Sequence, residues 1–329
     1  MKKTVFVLAL CLMVCMILPM TLFGGGSRDR ASNDGRNVIY IMRNFINPWN
    51  LTVQAGARLA AERYNVNVTF LAPLVADSNE EMIQLTETAL ISGRMNGYVL
   101  LSLDSFTMIP SVRKVHEAGV PVVITATPLV YDNPADDVAS TTIISSNPVI
   151  GRALGRAMGE RLNGRGDVIV IGGPAGNITS ANRVRGTIEG LQEFPGIRVV
   201  AEQPGDWRRD RSMEVMQNLL QTFPNVNAVV AMNDEMALGA YEAITAAGRA
   251  GQILVSGVDA NFDALQAVRD GQLAFTLDNG PYQIGYEAIK ALAMIFDGQP
   301  VPEEIVADFT IVELSNIDEY TASIASRNR

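Results

Sequence analysis

Histidine and cysteine are nearly missing from this chain of 329 residues, which has one histidine, His116, and two cysteines, Cys11 and Cys15. A four-ligand zinc site, a Ser-His-Asp triad and a Cys-His pair all need more than that. Both cysteines fall in an N-terminal apolar stretch, so the remainder of the chain can form no disulfide of its own. Basic residues are also short. The 26 Lys and Arg stand against 35 Asp and Glu, a net charge of −9 that becomes more negative if Lys2 and Lys3 are removed with that stretch. Such a balance repels phosphate backbones and anionic bilayers, which excludes nucleic-acid binding and membrane-surface attachment as first readings. Aromatic residues make up 6%, and tryptophan occurs twice, as Trp49 and Trp207. What is plentiful is aliphatic: 48% of residues are hydrophobic and 19% charged, which suffices for a sizeable core. At about 150 residues per domain, the length suggests two domains.

The chain starts Met1-Lys2-Lys3, continues through an uncharged run at 4–23, and then reads Gly24-Gly25-Gly26-Ser27. A basic start, an apolar middle and small residues make a secretory signal, expected over 1–26. The run is also long enough to cross a bilayer, so an uncleaved membrane tether is the competing expectation. Leu10 and Val14 precede the cysteines where lipid anchoring wants a small residue. The polar stretch at 27–36 reads as a flexible tether.

From Asn37 short β-branched runs alternate with helical patterns. Strands are expected at 38–42, 66–72, 97–103 and 120–127, with helices at 51–64, 82–92 and 109–118 between and after them. A turn-rich stretch and a helix at 149–162 follow. The rhythm then restarts, with strands at 167–173, 198–203, 228–232, 253–259 and 273–277 and helices at 181–193, 211–223, 235–247, 264–270 and 282–296. Strands that are apolar on both faces, separated by helices, imply parallel sheets covered on both sides. Two successive sets suggest two similar α/β lobes. In such sheets a ligand sits beyond the carboxyl ends of the strands.

Those strand ends are rich in planar polar groups. They hold Asn47, Trp49 and Asn50; a loop at 173–177 with Arg183 in the next helix; Asp206 and Trp207; Asn233, Asp234 and Glu235; Asp259, Asn261 and Asp263; and Asp278 and Asn279. Amides, carboxylates and guanidinium groups match the donor and acceptor spacing of neighbouring sugar hydroxyls. An indole supplies a flat apolar face for a sugar ring. Both tryptophans of the chain sit in these loops. Plainer roles compete: Asn and Asp are common helix caps and turn residues, Asp234 is placed to cap the helix that follows, and a loop tryptophan is often a lid on the core. His116, beside Lys114 and Glu117 near a helix end, reads as a surface residue. The glycines at 172–176 spell neither G-x-x-x-x-G-K-[ST] nor G-x-G-x-x-G, so no nucleotide loop, metal or cofactor is expected.

The block Asn-Asp-Glu-Met-Ala-Leu-Gly-Ala at 233–240, with INPWN at 46–50, SANRVRGTIEGL at 180–191, SGVDAN at 256–261 and QIGYEA at 283–288, resembles ribose-binding and related type I periplasmic sugar-binding proteins. The resemblance runs from about 38 to 312. It implies an α/β fold of two similar doubly wound parallel-sheet lobes joined by a three-strand hinge. The expected lobes are 37–146 with 280–308, and 147–279 with 309–329. It implies a non-enzymatic shuttle, acting as a monomer, that closes on a sugar and delivers it to an ABC permease in the membrane or to a chemoreceptor. By the same resemblance Asn47 and Trp49 bond and stack on the sugar from the first lobe. Arg183, Asn233 and Asp259 clamp it from the second, Trp207 stacks opposite, and Asn279 is a hinge-side amide. The pattern is broken at Ala126-Thr127, where ribose binders carry Asp-Arg. Arg43 replaces a small residue and Asn50 a second aromatic, and both are expected among the ligand-binding residues. Arg43 is therefore expected to restore part of the missing donor set, with a ligand other than ribose. A sensor on the same fold, a DNA-binding repressor and an enzyme are the competing functions. The repressor lacks a helix-turn-helix before Val38, and the enzyme lacks a metal cluster, a cofactor loop and a nucleophile-base pair.

Overall fold

The computed structural model describes residues 36–327, so the expected signal segment and most of the tether lie outside them. The first sheet is built from β1 (Asn37–Ile41), β2 (Asn67–Leu71), β3 (Gly97–Leu101), β4 (Val122–Ala126) and β5 (Thr141–Ser145). They alternate with α1 (Pro48–Arg63), α2 (Asn79–Ile91) and α3 (Ile109–Glu117). Successive residues of β1 feed opposite cores, as the strand period of two requires. Val38 and Tyr40 pack with Val53 and Ala57 of α1, while Ile39 and Ile41 pack with Met82 of α2 and Val112 of α3. That is why its sequence is apolar at every position from Val38 to Ile41 rather than alternating.

The chain then enters a second α/β set: α4 (Asn147–Arg161), β6 (Arg165–Gly172), α5 (Ile178–Gln192), β7 (Gly196–Pro204), α6 (Arg209–Thr222), β8 (Ala228–Ala231), α7 (Asp234–Ala246), β9 (Leu254–Ser256) and α8 (Phe262–Arg269). It returns through β10 (Thr276–Asp278), α9 (Pro281–Phe296), β11 (Glu304–Ala307) and β12 (Thr310–Val312), and ends in α10 (Ile317–Arg327). The first sheet has the order β11-β5-β4-β3-β1-β2 and the second β7-β6-β8-β9, both parallel throughout. β10 pairs with β12 antiparallel. The backbone therefore passes between two doubly wound lobes three times: from β5 to α4, from β10 to α9, and from β11 to β12.

Glycines let the helices on each lobe approach backbone to backbone. A Cβ on Gly151 of α4 would lie 2.1 Å from the Arg183 carbonyl oxygen of α5, and one on Gly285 of α9 would lie 1.8 Å from that of Val53 in α1. Real Cβ atoms cannot sit that close, so these two helix pairs depend on the missing side chain. The first contact fixes α5, and with it Arg183, against the helix that leaves the hinge.

The alternation expected from the sequence is present, with differences. β5 lies in what reads as a turn-rich stretch, because TTIIS is short and three of its five residues are threonine or serine. β11, β12 and α10 also lack a distinct pattern. The strand expected at 253–259 stops at Ser256, because Asp259 and Ala260 take left-handed φ values of 120° and 50°. The cap of α7 is Asn233, not Asp234: Asn233 accepts from the Met236 amide, while Asp234 is the first helical residue and fully buried. His116 is exposed near the end of α3.

Candidate functional site

A cavity of about 520 Å³ opens at the carboxyl ends of strands from both lobes. Arg43, Asn47, Trp49, Asn50, Arg183, Trp207, Asn233, Asp259 and Asn279 all line it. The first four follow β1, and Trp207, Asn233, Asp259 and Asn279 follow β7 to β10. Arg183 projects from α5. Gly176 and Asn177, Asn261 and Asp263, from the same set of loops, do not line it.

Asparagines hold the helix entrances. Asn47, Asn177, Asn233 and Asn261 cap α1, α5, α7 and α8, each Oδ1 accepting a backbone amide of the first turn. The capping role and a site role do not conflict, because the cap uses only the oxygen. Asn233 spends its Nδ2 on the Trp207 carbonyl at 3.3 Å. Asn50 is buried and acts within its own loop, donating to the Asn44 carbonyl at 3.2 Å. Asn44 in turn donates to Asp77 Oδ1 at 2.9 Å, and Arg43 Nε lies 3.4 Å from the same oxygen. Arg43 and Asp77 thus form an ion pair on the first-lobe wall, with the Arg43 side chain 16% exposed.

The second-lobe wall is centred on Arg183, a guanidinium with 4% exposure. Its Nε and Nη2 donate to Asn147 Oδ1 at 3.0 and 2.8 Å, and its Nη1 donates to the Met232 carbonyl. Burial lowers its pKa from the usual arginine value, and the charges of Asp259 and Asp234 oppose that shift. Its Cζ lies 5.8 Å from the Trp207 ring centroid, within cation–π range. Trp207 itself has a φ of 61° and follows Asp206, whose φ is 57°. Its ring fits against Gly173, where a Cβ would fall 2.2 Å from two ring carbons. Across the cavity Trp49 Nε1 donates to Asn279 Oδ1 at 2.8 Å, and Asn279 Nδ2 reaches Asp259 Oδ1 at 3.4 Å. An indole of the first lobe, a hinge amide and a carboxylate of the second are therefore one hydrogen-bonded chain.

Burial raises the Asp259 carboxyl well above the usual range, Asp234 raises it further, and Arg183 opposes both. Asp234, behind it, is pushed up to about 8 by burial against the pull of its Thr276 and Asn261 hydrogen bonds. Among the described residues, five of the eight non-glycine residues with left-handed φ (Asp77, Ala126, Asp206, Trp207 and Asp259) line this one cavity. Strain of that kind costs about 1–3 kcal/mol per residue and collects where geometry is imposed by function.

Asn44, Asp77, Ser145, Asn147 and Thr179 also line the cavity, and no sequence pattern marks them. Asn147 and Ser145 flank the end of β5, so they were hidden with that strand. Asp77 follows β2, whose C-terminal loop holds no tryptophan or Asn pair to mark it. Among the described residues, no group of three or more His, Cys, Asp and Glu is placed to hold a metal ion.

The model of the periplasmic binding protein domain matches residues 38–300. The ribose import binding protein RbsB of Salmonella typhimurium is 32% identical over 280 residues, covering 84% of this chain and 90% of the relative. The D-allose-binding periplasmic protein of Escherichia coli is 27% identical over 277 residues, covering 83% and 89%. An ABC transporter periplasmic solute binding protein from Actinobacillus succinogenes, solved with bound D-allose, superposes with a TM-score of 0.83 at 25% identity, covering 86% of this chain and 99% of its own. With the two-lobed parallel architecture above, these matches establish that the chain belongs to the family of periplasmic binding proteins.

Proposed function

We propose that this protein captures a neutral monosaccharide or small polyol between its two lobes and delivers it to an ABC-type importer. The observation that carries this reading is the placement of Trp49 and Trp207, one from each lobe, on the wall of a single cavity whose polar lining is dominated by planar amides, carboxylates and guanidiniums. The charges of that wall are matched within the protein. Arg43 pairs with Asp77, Arg208 with Asp210 and Arg209 with Glu235, while Arg183 donates to Asn147 Oδ1 and the Met232 carbonyl. A neutral ligand leaves that balance intact, whereas a charged one would add an uncompensated ion to a partly desolvated site. The ribose and allose named for the relatives, and the allose of the solved neighbour, support the same class.

In this reading Trp49 and Trp207 stack on the two faces of the ring. Asn47, Arg183, Asn233, Asp259 and Asn279 bond its hydroxyls, and Asn50 holds the loop that carries Trp49. Closure follows because only the closed form offers both sets of contacts at once. No bond of the ligand is made or broken. The lobes divide at 37–146 with 280–308 and at 147–279 with 309–329. The protein works as an exported monomer, directed outward by its N-terminal apolar segment. Ala126 and Thr127 supply no charged bond where ribose binders have Asp-Arg, a loss of roughly 1.5–3 kcal/mol for each such bond to a ligand. Arg43 compensates from the loop after β1 in the same lobe, and the preferred ligand is not ribose.

A thermal-shift panel of neutral sugars and polyols tests this. A ligand at about 100 times its Kd stabilises by roughly 2.7 kcal/mol, a shift of several degrees in a chain of this size. Arg43→Ala should lower affinity for the best ligand about tenfold or more. Unchanged affinity in that variant removes the role given to Arg43, and a panel without any hit removes the ligand class.

A further inference from the structure

Among the described residues, two side-chain hydrogen bonds join the lobes away from the three backbone crossings. Thr127 Oγ1, just beyond β4, and Thr179 Oγ1, in the first turn of α5, lie 3.2 Å apart. Asn177 Nδ2 donates to the Leu103 carbonyl, just beyond β3, at 2.9 Å. Each ion pair seen among these residues stays within one lobe, as Arg36–Asp297, Arg113–Asp136, Arg161–Glu313 and Arg209–Asp263 illustrate. The bridging bonds are therefore neutral and insensitive to salt. Thr127 is 1% exposed and Thr179 half-buried, so the threonine contact is partly shielded from water. Thr127 and Thr179 line the cavity, whereas Asn177 and Leu103 lie outside its wall.

We propose that Asn177, with the Thr127–Thr179 pair, forms a latch that holds the lobes together independently of the ligand and sets how long a captured ligand stays. Asn177 suits the task because its two ends do different work: Oδ1 accepts the Ser180 amide at 2.8 Å and caps α5, while Nδ2 crosses to the other lobe. The crossing bond is fixed to the start of the same helix that carries Arg183. Breaking it leaves every group that lines the cavity in place, and removes only a contact that exists when the lobes are shut. The latch therefore acts on opening more than on encounter. This inference rests on the closure described under the proposed function.

Asn177→Asp tests it. The carboxylate keeps the cap acceptor and the shape, loses the donor, and sets an oxygen against the Leu103 carbonyl. Asn177→Ser, which caps but does not reach, is the second variant should the first misfold. Stopped-flow tryptophan emission with D-allose, D-ribose, xylitol and myo-inositol should show dissociation about 5-fold faster, the effect of one neutral hydrogen bond. Association should stay within twofold, and the order of preference among the four should not change. In the ligand-free protein, hydrogen exchange should quicken at 103–107 and 174–180 and nowhere else. Dissociation and exchange rates equal to those of the wild type, or a changed order of preference, overturn the latch. If none of the four compounds binds, the exchange measurement alone decides the latch, and the wider panel decides the ligand class.

Discussion

Asn147→Leu should damage this protein more than its position at the start of a helix suggests. Asn147 is the first residue of α4 and 7% exposed, and its Oδ1 is the shared acceptor for Nε and Nη2 of Arg183. Leucine keeps the volume and the apolar stem but leaves two donors of a buried guanidinium without a partner. The Met232 carbonyl retains only Nη1. Hydrogen bonds to charged groups are worth about 1.5–3 kcal/mol each, and removing one partner of a buried charge costs about 3–5 kcal/mol in all. That is a large part of the 5–15 kcal/mol typical of a folded protein. Urea unfolding followed by circular dichroism reads the loss. The mechanism is tested by a cycle with Arg183→Met. Once the guanidinium is gone, Asn147→Leu should cost little, so the two changes should be non-additive by at least about 2 kcal/mol. Strictly additive costs, or a loss below about 1 kcal/mol for Asn147→Leu alone, would refute the claim that Asn147 holds Arg183 in place.

Two further outcomes follow from burial. Asp234 titrates near 8 in the folded chain against about 3.9 when unfolded, so the native state keeps a proton that the unfolded chain releases between those values. The stability that this proton contributes is therefore full below pH 4, declines as pH rises to about 8, and is lost above it. The urea midpoint should be higher at pH 5 than at pH 8, and Asp234→Asn should flatten the slope in part, Asp259 contributing the rest in the same direction. Gly285→Ala places a Cβ 1.8 Å from the Val53 carbonyl oxygen and must push α9 from α1. Overpacking of that kind costs about 3 kcal/mol, and an unchanged melting temperature would contradict the contact.

The sequence made the architecture legible because burial on both faces left a continuous apolar signature in most strands, as in Val38–Ile41 and Val168–Ile171. It was silent where an element is short and polar. β5 has three threonine or serine positions out of five, and β12 spans three residues. Both are held by pairing with partners distant in sequence, β11 and β10, which no local pattern announces. The cavity wall divided along the same line. Residues following the strands with a clear signature, such as Trp49, Trp207, Asn233 and Asp259, were visible as a polar cluster at strand ends. Asn147, Ser145 and Asp77 were not, because their importance lies in whom they touch. The asparagines show why a composition argument is ambiguous: Asn47 and Asn233 are helix caps by one atom and lining residues of the cavity at the same time.

The most direct test of capture between two indoles uses the protein's own tryptophans, one in each lobe. Trp49→Phe and Trp207→Phe each leave a single reporter, and each variant is titrated with the best neutral sugar of the panel while emission is followed. The account predicts that both remaining indoles respond, at one ligand per chain and with the same Kd within each variant by fluorescence and calorimetry. A sugar that binds while Trp49 or Trp207 stays spectroscopically silent would contradict it.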